Sequence, residues 1–221
     1  LDGHYSQILV DSRPVFSSLN GVYGLEQIPS NMIERVEVVR GGGSALYGAS
    51  AIGGTINIIT KEPIRNTASF GHTLMGIGGG DAFDNITSGN VSLVTGDNKA
   101  GIYAYGQSRY RQGYDHDGDG YTELPTLQSQ TFGLSSYFRL SPYSKFGIQY
   151  HAIHDFRRGG NMLDLPPHQA NIAEQAEHNI QGGSLNYDYY SPDEKNHLNA
   201  YLSFQATKRK SYYGGIGEGT E

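Results

Sequence analysis

The feature that most constrains this chain is an alternation of apolar and polar side chains with a period of two, repeated many times after Pro63. The alternation is cleanest where Leu198, Ala200, Leu202, Phe204 and Ala206 are separated by polar or amphipathic residues. Successive side chains of a β-strand point to opposite faces, so this pattern indicates strands with one apolar and one polar face. Looser versions of the pattern predict further strands over residues 67–76, 87–95, 101–111, 128–140, 145–154 and 179–190.

The connections between these strands alternate in length. Tight turns are predicted at 96–99, 141–144 and 191–194, and long connections near 77–86, 113–127 and 155–178. Outer-membrane β-barrels have short periplasmic turns and longer extracellular loops. A water-soluble sandwich has no physical reason to sort its connections in this way. The pattern therefore favours antiparallel transmembrane strands of a barrel, with the tight turns on the periplasmic side.

Composition agrees with a barrel and excludes several other classes of protein. The chain has 31 Gly and 17 Tyr, and its mean hydropathy is −0.49. Disordered chains are poor in aromatic residues, whereas barrel strands are half polar with an aromatic rim. No apolar run has the roughly 18 residues that a membrane helix needs. The chain has no Cys, which excludes disulfides, and its net charge of −6 without a basic stripe argues against a nucleic-acid partner.

Residues 1–62 have a different texture from the rest of the chain. Short apolar runs at 8–10, 36–39 and 55–60 lie between turns, and Asn31 and Glu34 have the spacing of a helical capping box. Pro63 ends this part, because proline cannot donate to a β-ladder. The sequence thus predicts a small α+β domain over residues 1–62 and barrel strands over residues 67–221.

The most specific signal lies within residues 33–61. The segments are 33–41 (IERVEVVRG), 44–48 (SALYG) and 51–61 (AIGGTINIITK). Together they closely resemble the plug domain of TonB-dependent outer-membrane receptors, and their spacing is most similar to receptors for vitamin B12, haem and siderophores. Two positions depart from the family pattern: Gly42 replaces a proline, and Ser50 stands where Asp or Asn is common.

The resemblance implies a mainly β chain: the C-terminal part of an α+β plug, then about seven strands of a barrel of about 22. It implies TonB-energised uptake of a scarce metal-containing ligand, namely haem, a ferric siderophore or cobalamin, across the outer membrane of a Gram-negative bacterium. The implied partners are the TonB complex, engaged through an N-terminal box that we expect to lie outside this chain, outer-membrane lipid with lipopolysaccharide, and a surface lipoprotein.

Two other functions compete with a gated receptor. A passive porin-like channel would explain the strands but would lack a plug, and a cell-surface β-sandwich adhesin would not need sorted turns. We expect no enzyme, because no nucleophile, base and orienting group recur together. The glycine run after Arg40 is not expected to bind nucleotides, because the lysine of a phosphate-binding loop does not follow it.

The resemblance also implies where ligand and plug contacts lie. Family plugs bind ligand with their apical loops, which correspond here to Phe16, Asn20, Tyr23, Ser44, Leu46 and Tyr47. Packing inside the barrel is an equal alternative for the two tyrosines. His168 and His178 fall in the predicted long loop over a ligand, although surface histidines without a ligand are the simpler interpretation. Charged plug residues of the family pair with the barrel wall, which implicates Arg35, Glu37 and Arg40.

One predicted loop has the pattern of a cation site. Asp115, Asp117 and Asp119 alternate and are followed by Gly120, as in the opening of an EF-type calcium loop. The twelfth position, where such loops have Glu, is Thr126, so Glu123 is the nearest substitute. The sequence predicts calcium here as a structural ion and no catalytic cofactor. A hydrated acidic loop tip is the alternative.

Overall fold

The computed structural model describes residues 6–14, 30–41 and 53–216, which form two β-sheets. Within these ranges, no helix has the length and hydrophobicity needed to cross a membrane. The helical content there is confined to single 3-10 turns at Ser30–Met32 and Pro167–Gln169. The predicted mainly β architecture is therefore confirmed.

The small sheet has four strands in the spatial order β2-β1-β4-β3. Its strands are β1 (Ser6–Val10), β2 (Arg13–Pro14), β3 (Ile33–Arg40) and β4 (Gly54–Thr60). β4 is the central apolar strand: it pairs in parallel with β1 and antiparallel with β3, and its Ile58 is buried. Gly54 has φ of +134°, and a Cβ there would lie 2.4 Å from the Val39 carbonyl oxygen. Only glycine fits this position without strain.

The large sheet has seven antiparallel strands in sequence order, each hydrogen-bonded to the next. Its strands are β5 (Thr67–Ile77), β6 (Ala82–Val94), β7 (Ala100–Arg111), β8 (Thr122–Ser141), β9 (Ser144–Gly160), β10 (Ala173–Tyr190) and β11 (His197–Gly214). The first and last strands do not pair with each other, so the described residues form an open sheet with β5 and β11 at its edges. The predicted tight turns after β6, β8 and β10 are confirmed.

The outer connections differ from the sequence prediction. The expected long connection at 77–86 is a turn of four residues, because β5 extends to Ile77 and β6 begins at Ala82. Likewise β9 continues to Gly160 and β10 starts at Ala173, so half of the predicted loop 155–178 is paired strand. Strand pairing continues there through polar residues, which have no apolar alternation to reveal it.

The side chains of the large sheet divide into two faces with opposite chemistry. We call the face that contacts the small sheet the inner face, and the opposite one the outer face. On β11, Asn199 and Tyr201 line a cavity next to the small sheet, whereas Leu198 and Leu202 belong to the outer face and are more than half exposed. The alternation predicted for β11, with its apolar residues on the outer face, is confirmed.

Candidate functional site

The candidate site is the contact between the small sheet and the inner face, and Asn31 is one of its anchors. The Tyr103 hydroxyl donates to the Asn31 carbonyl oxygen at 2.6 Å, and the Asn31 side-chain amide donates to the Gly106 carbonyl oxygen at 3.2 Å. The predicted helical turn exists as the 3-10 turn Ser30–Met32. The capping interpretation of Asn31 is wrong, because its side chain bonds to the large sheet instead.

A small apolar cluster lies beside this anchor. Met32, Tyr103 and Tyr105 are buried against one another, with Val10 packed on them. The Tyr105 hydroxyl donates to the Met32 sulfur at 2.8 Å. Gly133 leaves room for the Tyr105 ring, since a Cβ there would lie 2.3 Å from the ring. Aromatic rings with a polar end suit this interface, because they bury area and still satisfy their hydroxyls.

Gln149 forms a second anchor at the centre of the inner face. Its amide nitrogen donates to the Asp11 carboxylate at 2.9 Å and to the Thr60 hydroxyl oxygen at 3.2 Å. The Thr60 hydroxyl itself donates to Asp11 at 2.7 Å. The Gln149 side-chain oxygen accepts from the Ser184 hydroxyl at 3.1 Å. One wall residue thereby joins two strands of the large sheet to the small sheet.

The segment that leads from the small sheet to β5 makes an ionic contact with the wall. Glu62 and Lys145 form an ion pair at 2.8 Å, and the Lys145 ammonium lies 5.2 Å from the centre of the Tyr137 ring. Nearby, buried Pro63 packs where Gly101 has no side chain. These residues border a cavity of about 660 Å³ between the two sheets, near the tight-turn end of β8, β9 and β10.

Most of the inner face opposite the small sheet is polar but uncharged. The cross-strand rows there are Thr67, Ser92, Tyr103, Ser135, Gln149, Ser184, Ser203 and Ser69, Asn90, Tyr105, Gly133, His151, Gly182, Gln205. These rows contain no carboxylate, Lys or Arg. The small sheet is therefore held mainly by neutral hydrogen bonds, each of which contributes about 0.5–1.5 kcal/mol net.

The predicted ionic contacts of Arg35, Glu37 and Arg40 with the wall are not found among the described residues. Arg35 and Glu37 instead pair with each other at 2.8 Å along β3, and both side chains are about half exposed. They lie two apart on one strand and so share one face, which lets them meet. Arg40 is exposed at the end of β3. The wall contact that sequence reasoning missed is the Glu62–Lys145 pair.

The outer face carries a band of exposed apolar residues. The more exposed members are Phe70, Leu93, Ile102, Phe132, Leu185, Leu202 and Phe204. This band is interrupted by a polar cross-strand row, which consists of His72, Thr87, Ser108, Gln130, His154, Asn179 and Lys208. Neighbours within this row bond to each other: His72 to Thr87 and His154 to Asn179, both at 2.9 Å. An outward-facing apolar band is what a bilayer requires of a barrel exterior.

The acidic loop between β7 and β8 brings its carboxylates together. Oxygen atoms of Asp115, Asp117, Asp119 and Glu123 all lie within 4.8 Å of one another. Asp115 accepts hydrogen bonds from the backbone of Gly118 and Gly120 at 2.7 Å, and both glycines have positive φ. Glu123, the predicted substitute for the absent twelfth-position ligand, is part of this cluster. The occupancy of this cluster by calcium stays a prediction.

Of the predicted ligand contacts, the structure describes only the two histidines. Phe16, Asn20, Tyr23, Ser44, Leu46 and Tyr47 lie outside the described residues. Exposed His168 lies in the 3-10 turn of the β9–β10 connection, as predicted for a loop histidine. His178 is not in this loop: it lies within β10, buried on the inner face and opposite Arg209 of β11.

Comparison with known proteins finds a family model that matches the start of the chain and relatives that match longer parts of it. Residues 1–55 match the family model described as TonB-dependent Receptor Plug Domain. The vitamin B12 transporter BtuB of Photobacterium profundum is 29% identical over 141 residues, which are 61% of this chain and 22% of the transporter. BtuB of Vibrio cholerae is 46% identical over 54 residues, which are 24% of this chain and 9% of that protein.

Solved structures resemble the fold over nearly the whole chain. The siderophore receptor PirA of Pseudomonas aeruginosa has a TM-score of 0.69 at 19% identity and covers 95% of this chain and 34% of its own. The alcaligin receptor FauA of Bordetella pertussis has a TM-score of 0.70 at 15% identity and covers 94% of this chain and 31% of its own. The chain therefore spans about a third of these solved receptors, and 22% of the first BtuB relative.

Proposed function

Because the chain is part of a TonB-dependent receptor, we propose that it takes part in energised uptake of a scarce metal-containing ligand across an outer membrane. The observation that carries this proposal is the small sheet bonded to the inner face of a wall whose outer face is an apolar band. A plug inside a membrane wall blocks the pore at rest, so ligand can pass only when the plug is moved. We therefore assign a gated receptor with no catalytic step.

The kind of contact between plug and wall supports gating. Plug and wall meet through Asn31, Asp11 and Thr60 on one side and Tyr103 and Gln149 on the other, mostly by neutral hydrogen bonds. Water replaces such bonds one at a time at little net cost, because each exchanges for a bond to solvent. A dry apolar interface of the same area would have to separate all at once. The plug can therefore yield to a pull that leaves the barrel intact.

The wall supports a membrane location. Exposed Phe and Leu side chains in a continuous band need an apolar solvent, since a water-soluble sheet would bury them against a second layer. The open edges at β5 and β11 need further strands, because unpaired backbone groups in lipid cost several kcal/mol each. We propose that the remaining strands of an outer-membrane barrel supply them. A passive porin-like channel is disfavoured because it would have no use for the plug contacts.

The ligand class and the energy source are inferred from the relatives. The vitamin B12 transporters and the siderophore receptors named above point to cobalamin or a ferric siderophore, and haem stays a candidate from the sequence resemblance. We propose that the TonB complex supplies the pull. A surface lipoprotein and lipopolysaccharide stay predicted partners. A calcium ion in the loop with Asp115, Asp117 and Asp119 is proposed to order that loop near the ligand entrance.

Uptake by cells tests this proposal. The full-length receptor is expressed in a host without its own receptors for these ligands, and labelled cobalamin, haem and ferric siderophores are offered one at a time. We expect uptake of one class, lost when the host lacks TonB. Mass spectrometry of small molecules co-purified with the receptor identifies the ligand independently. Uptake that persists without TonB would support the passive channel instead.

A further inference from the structure

We propose that one short segment keeps the plug fastened to the wall while the small sheet moves. We call residues 62–66, which lead from the small sheet to β5, the tether. Its Pro63 and Asn66 side chains are held by wall strands, whereas the small sheet is held mainly by neutral hydrogen bonds. This inference rests on the proposed gating, and it names Lys61, just before the tether, as the position about which the small sheet turns.

Pro63 occupies a closed socket between β7 and β8. Its side chain is one of the most deeply buried among the described residues, with less than 2% exposed. A Cβ on Gly101 of β7 would lie 2.9 Å from Pro63 Cγ and 2.7 Å from the Tyr137 ring of β8. The missing side chain of Gly101 therefore makes room for the proline ring. This ring has almost no rotamer freedom to lose, so the socket holds it at little entropic cost.

The socket is firm because the Tyr137 ring is restrained on several sides. The ring is buried, and its hydroxyl donates to the Asn98 carbonyl oxygen at 3.4 Å. The Lys145 ammonium lies 5.2 Å and the Arg139 guanidinium 5.8 Å from the ring centre. A cation within about 6 Å of an aromatic ring is attracted to its face. Residues of β8, β9 and the β6–β7 turn thus hold this ring independently of the small sheet.

The far end of the tether is bonded to a neighbouring strand. The Val94 backbone N–H, at the end of β6, donates to the Asn66 side-chain oxygen at 2.6 Å. From Thr67 onward the chain belongs to the ladder of the large sheet. The Glu62–Lys145 ion pair adds little, because the Glu62 side chain is 59% exposed and exposed ion pairs contribute weakly. The tether is therefore attached mainly through Pro63 and Asn66.

The contacts of the small sheet with the wall are easier to separate. Gln149 reaches it through hydrogen bonds to Asp11 and Thr60, and water can replace such bonds one at a time. The apolar contact of Met32 with the wall borders a second cavity, of about 160 Å³, so packing does not close it. Pro63, in contrast, leaves its socket only when its ring and that of Tyr137 are exposed together. The small sheet should therefore separate from the wall before the tether does.

The space beside the tether gives the small sheet room to move. The cavity of about 660 Å³ between the two sheets borders Thr60 on the small sheet and Pro63 on the tether. The Lys61 backbone N–H donates to the Met32 carbonyl oxygen at 2.9 Å, directly before the tether. Once this bond opens, the small sheet can turn about Lys61 into the cavity while Pro63 keeps its place.

Two cross-links in the full-length receptor test this inference without ligand or TonB. This chain has no Cys, so cysteine pairs are introduced into a receptor freed of any others. One pair replaces Glu62 and Lys145 and links the tether to the wall, and the matched pair replaces Asp11 and Gln149 and links the small sheet to the wall. The replaced side chains meet at 2.8 Å and 2.9 Å, so the same short thiol-reactive linker suits both pairs. Urea is raised stepwise to loosen the plug, and potassium chloride conductance across a planar bilayer reports opening before and after linking.

We expect the link between positions 11 and 149 to abolish the urea-induced conductance, and the link between positions 62 and 145 to leave it unchanged. Each variant before linking is its own control, because its conductance shows that it has inserted and opens. Loss of conductance with both links, or with neither, would overturn the fixed tether. So would a wild-type receptor whose conductance never rises before the barrel unfolds. None of these results involves uptake, so the failure of this inference and the failure of the proposed transport are separate outcomes.

A second variant tests the socket directly. Gly101→Ala places a Cβ against Pro63 and Tyr137 and should dislodge the tether, so that trypsin cleaves after Arg65 faster than in wild type. Gly96→Ala is the matched control, because a Cβ there meets nothing within 4 Å. Cleavage of Gly101→Ala at the rate of Gly96→Ala would show that the socket does not hold the tether.

Discussion

The side-chain amide of Gln149, on the wall, donates to the carboxylate of Asp11, at the end of the first plug strand, across 2.9 Å. These residues are 138 positions apart in the chain. Asp11 also accepts from the Thr60 backbone N–H at 2.9 Å, so the wall residue acts on a carboxylate that holds the two central plug strands together. A substitution at Gln149 should therefore weaken the hydrogen bonding between the two central plug strands.

We predict that Gln149→Ala loosens this corner of the plug without affecting the barrel. Loss of a hydrogen bond to a carboxylate should cost about 1.5–3 kcal/mol, which corresponds to at least roughly tenfold faster exchange of the Thr60 amide hydrogen. Hydrogen exchange of the full-length receptor, read by mass spectrometry over β4, measures this. Ser203→Ala is the control, because Ser203 lies in the same cross-strand row. Equal exchange in all three proteins would show that Gln149 does not restrain the plug.

Gly54→Ala should destabilise the plug sheet. The backbone there has φ of +134° and leaves only 2.4 Å between the new Cβ and the Val39 carbonyl oxygen. Backbone strain of this kind costs about 1–3 kcal/mol. Limited proteolysis should cut the plug of this variant faster than wild type. Gly96→Ala serves as the comparison, since a Cβ there meets nothing within 4 Å, and faster cleavage in both variants would contradict the explanation.

A positive charge should destabilise the barrel far more on the outer face of β11 than on its inner face. Leu202→Arg places a cation on the outer face and should cost about 2–4 kcal/mol if it lies near the bilayer midplane. Ser203→Arg, one residue along, places the same cation on the polar inner face and should cost far less. Reversible folding of the full-length receptor into lipid vesicles, followed through urea titration, compares them. A larger loss for Ser203→Arg would mean that the faces are exchanged.

Calcium should order the β7–β8 loop through the four carboxylates that converge there. Their close oxygens repel one another without a cation, and calcium takes such oxygens at about 2.3–2.6 Å. We expect calcium to slow proteolysis within residues 113–121 of the full-length receptor, and Asp117→Asn to abolish this protection. Asp81→Asn, which removes an acid from the neighbouring β5–β6 turn, should leave it intact. Protection that survives Asp117→Asn would locate the ion elsewhere.

The turn between β6 and β7 should tolerate acid. Hydrogen bonds from the Thr95 hydroxyl and the Lys99 backbone lower the pKa of Asp97 from its ordinary value of 3.8 to about 2. A carboxyl with a lowered pKa stabilises the folded turn above its unfolded pKa, and this contribution is lost as pH falls from about 4 towards 2. Carboxyl titration followed by infrared spectroscopy of selectively labelled aspartate should show this group, and Thr95→Val should raise its pKa. An unchanged titration in Thr95→Val would refute the assigned cause.

The sequence by itself determined the strands, their inner and outer faces, and the tight turns. In a strand, the alternation from Leu198 to Ala206 allows only one assignment of apolar and polar faces, because the side-chain period is two. The sequence also determined the resemblance of the plug to its family. That resemblance rests on glycines and apolar residues at spacings that strands and turns require. The ends of β9 and β10, residues 155–160 and 173–178, escaped prediction, since they pair through polar residues such as Asp155 and His178, which carry no periodic signal.

Only the tertiary structure decided which polar residues meet. Nothing in the sequence distinguishes Gln149, Tyr103 and Asn31 from other barrel or turn residues, because a neutral side chain can bond to many partners. Their partners are defined only when the plug lies against the wall. The sequence could not predict the ion-pair partners of Arg35 and Glu37, because several charged residues were available. In the structure they pair with each other, since they lie on the same face of one strand. His178 lies opposite Arg209 because of the register of β10 and β11 alone. Register is set by the whole ladder of backbone hydrogen bonds, so no local stretch of sequence contains it.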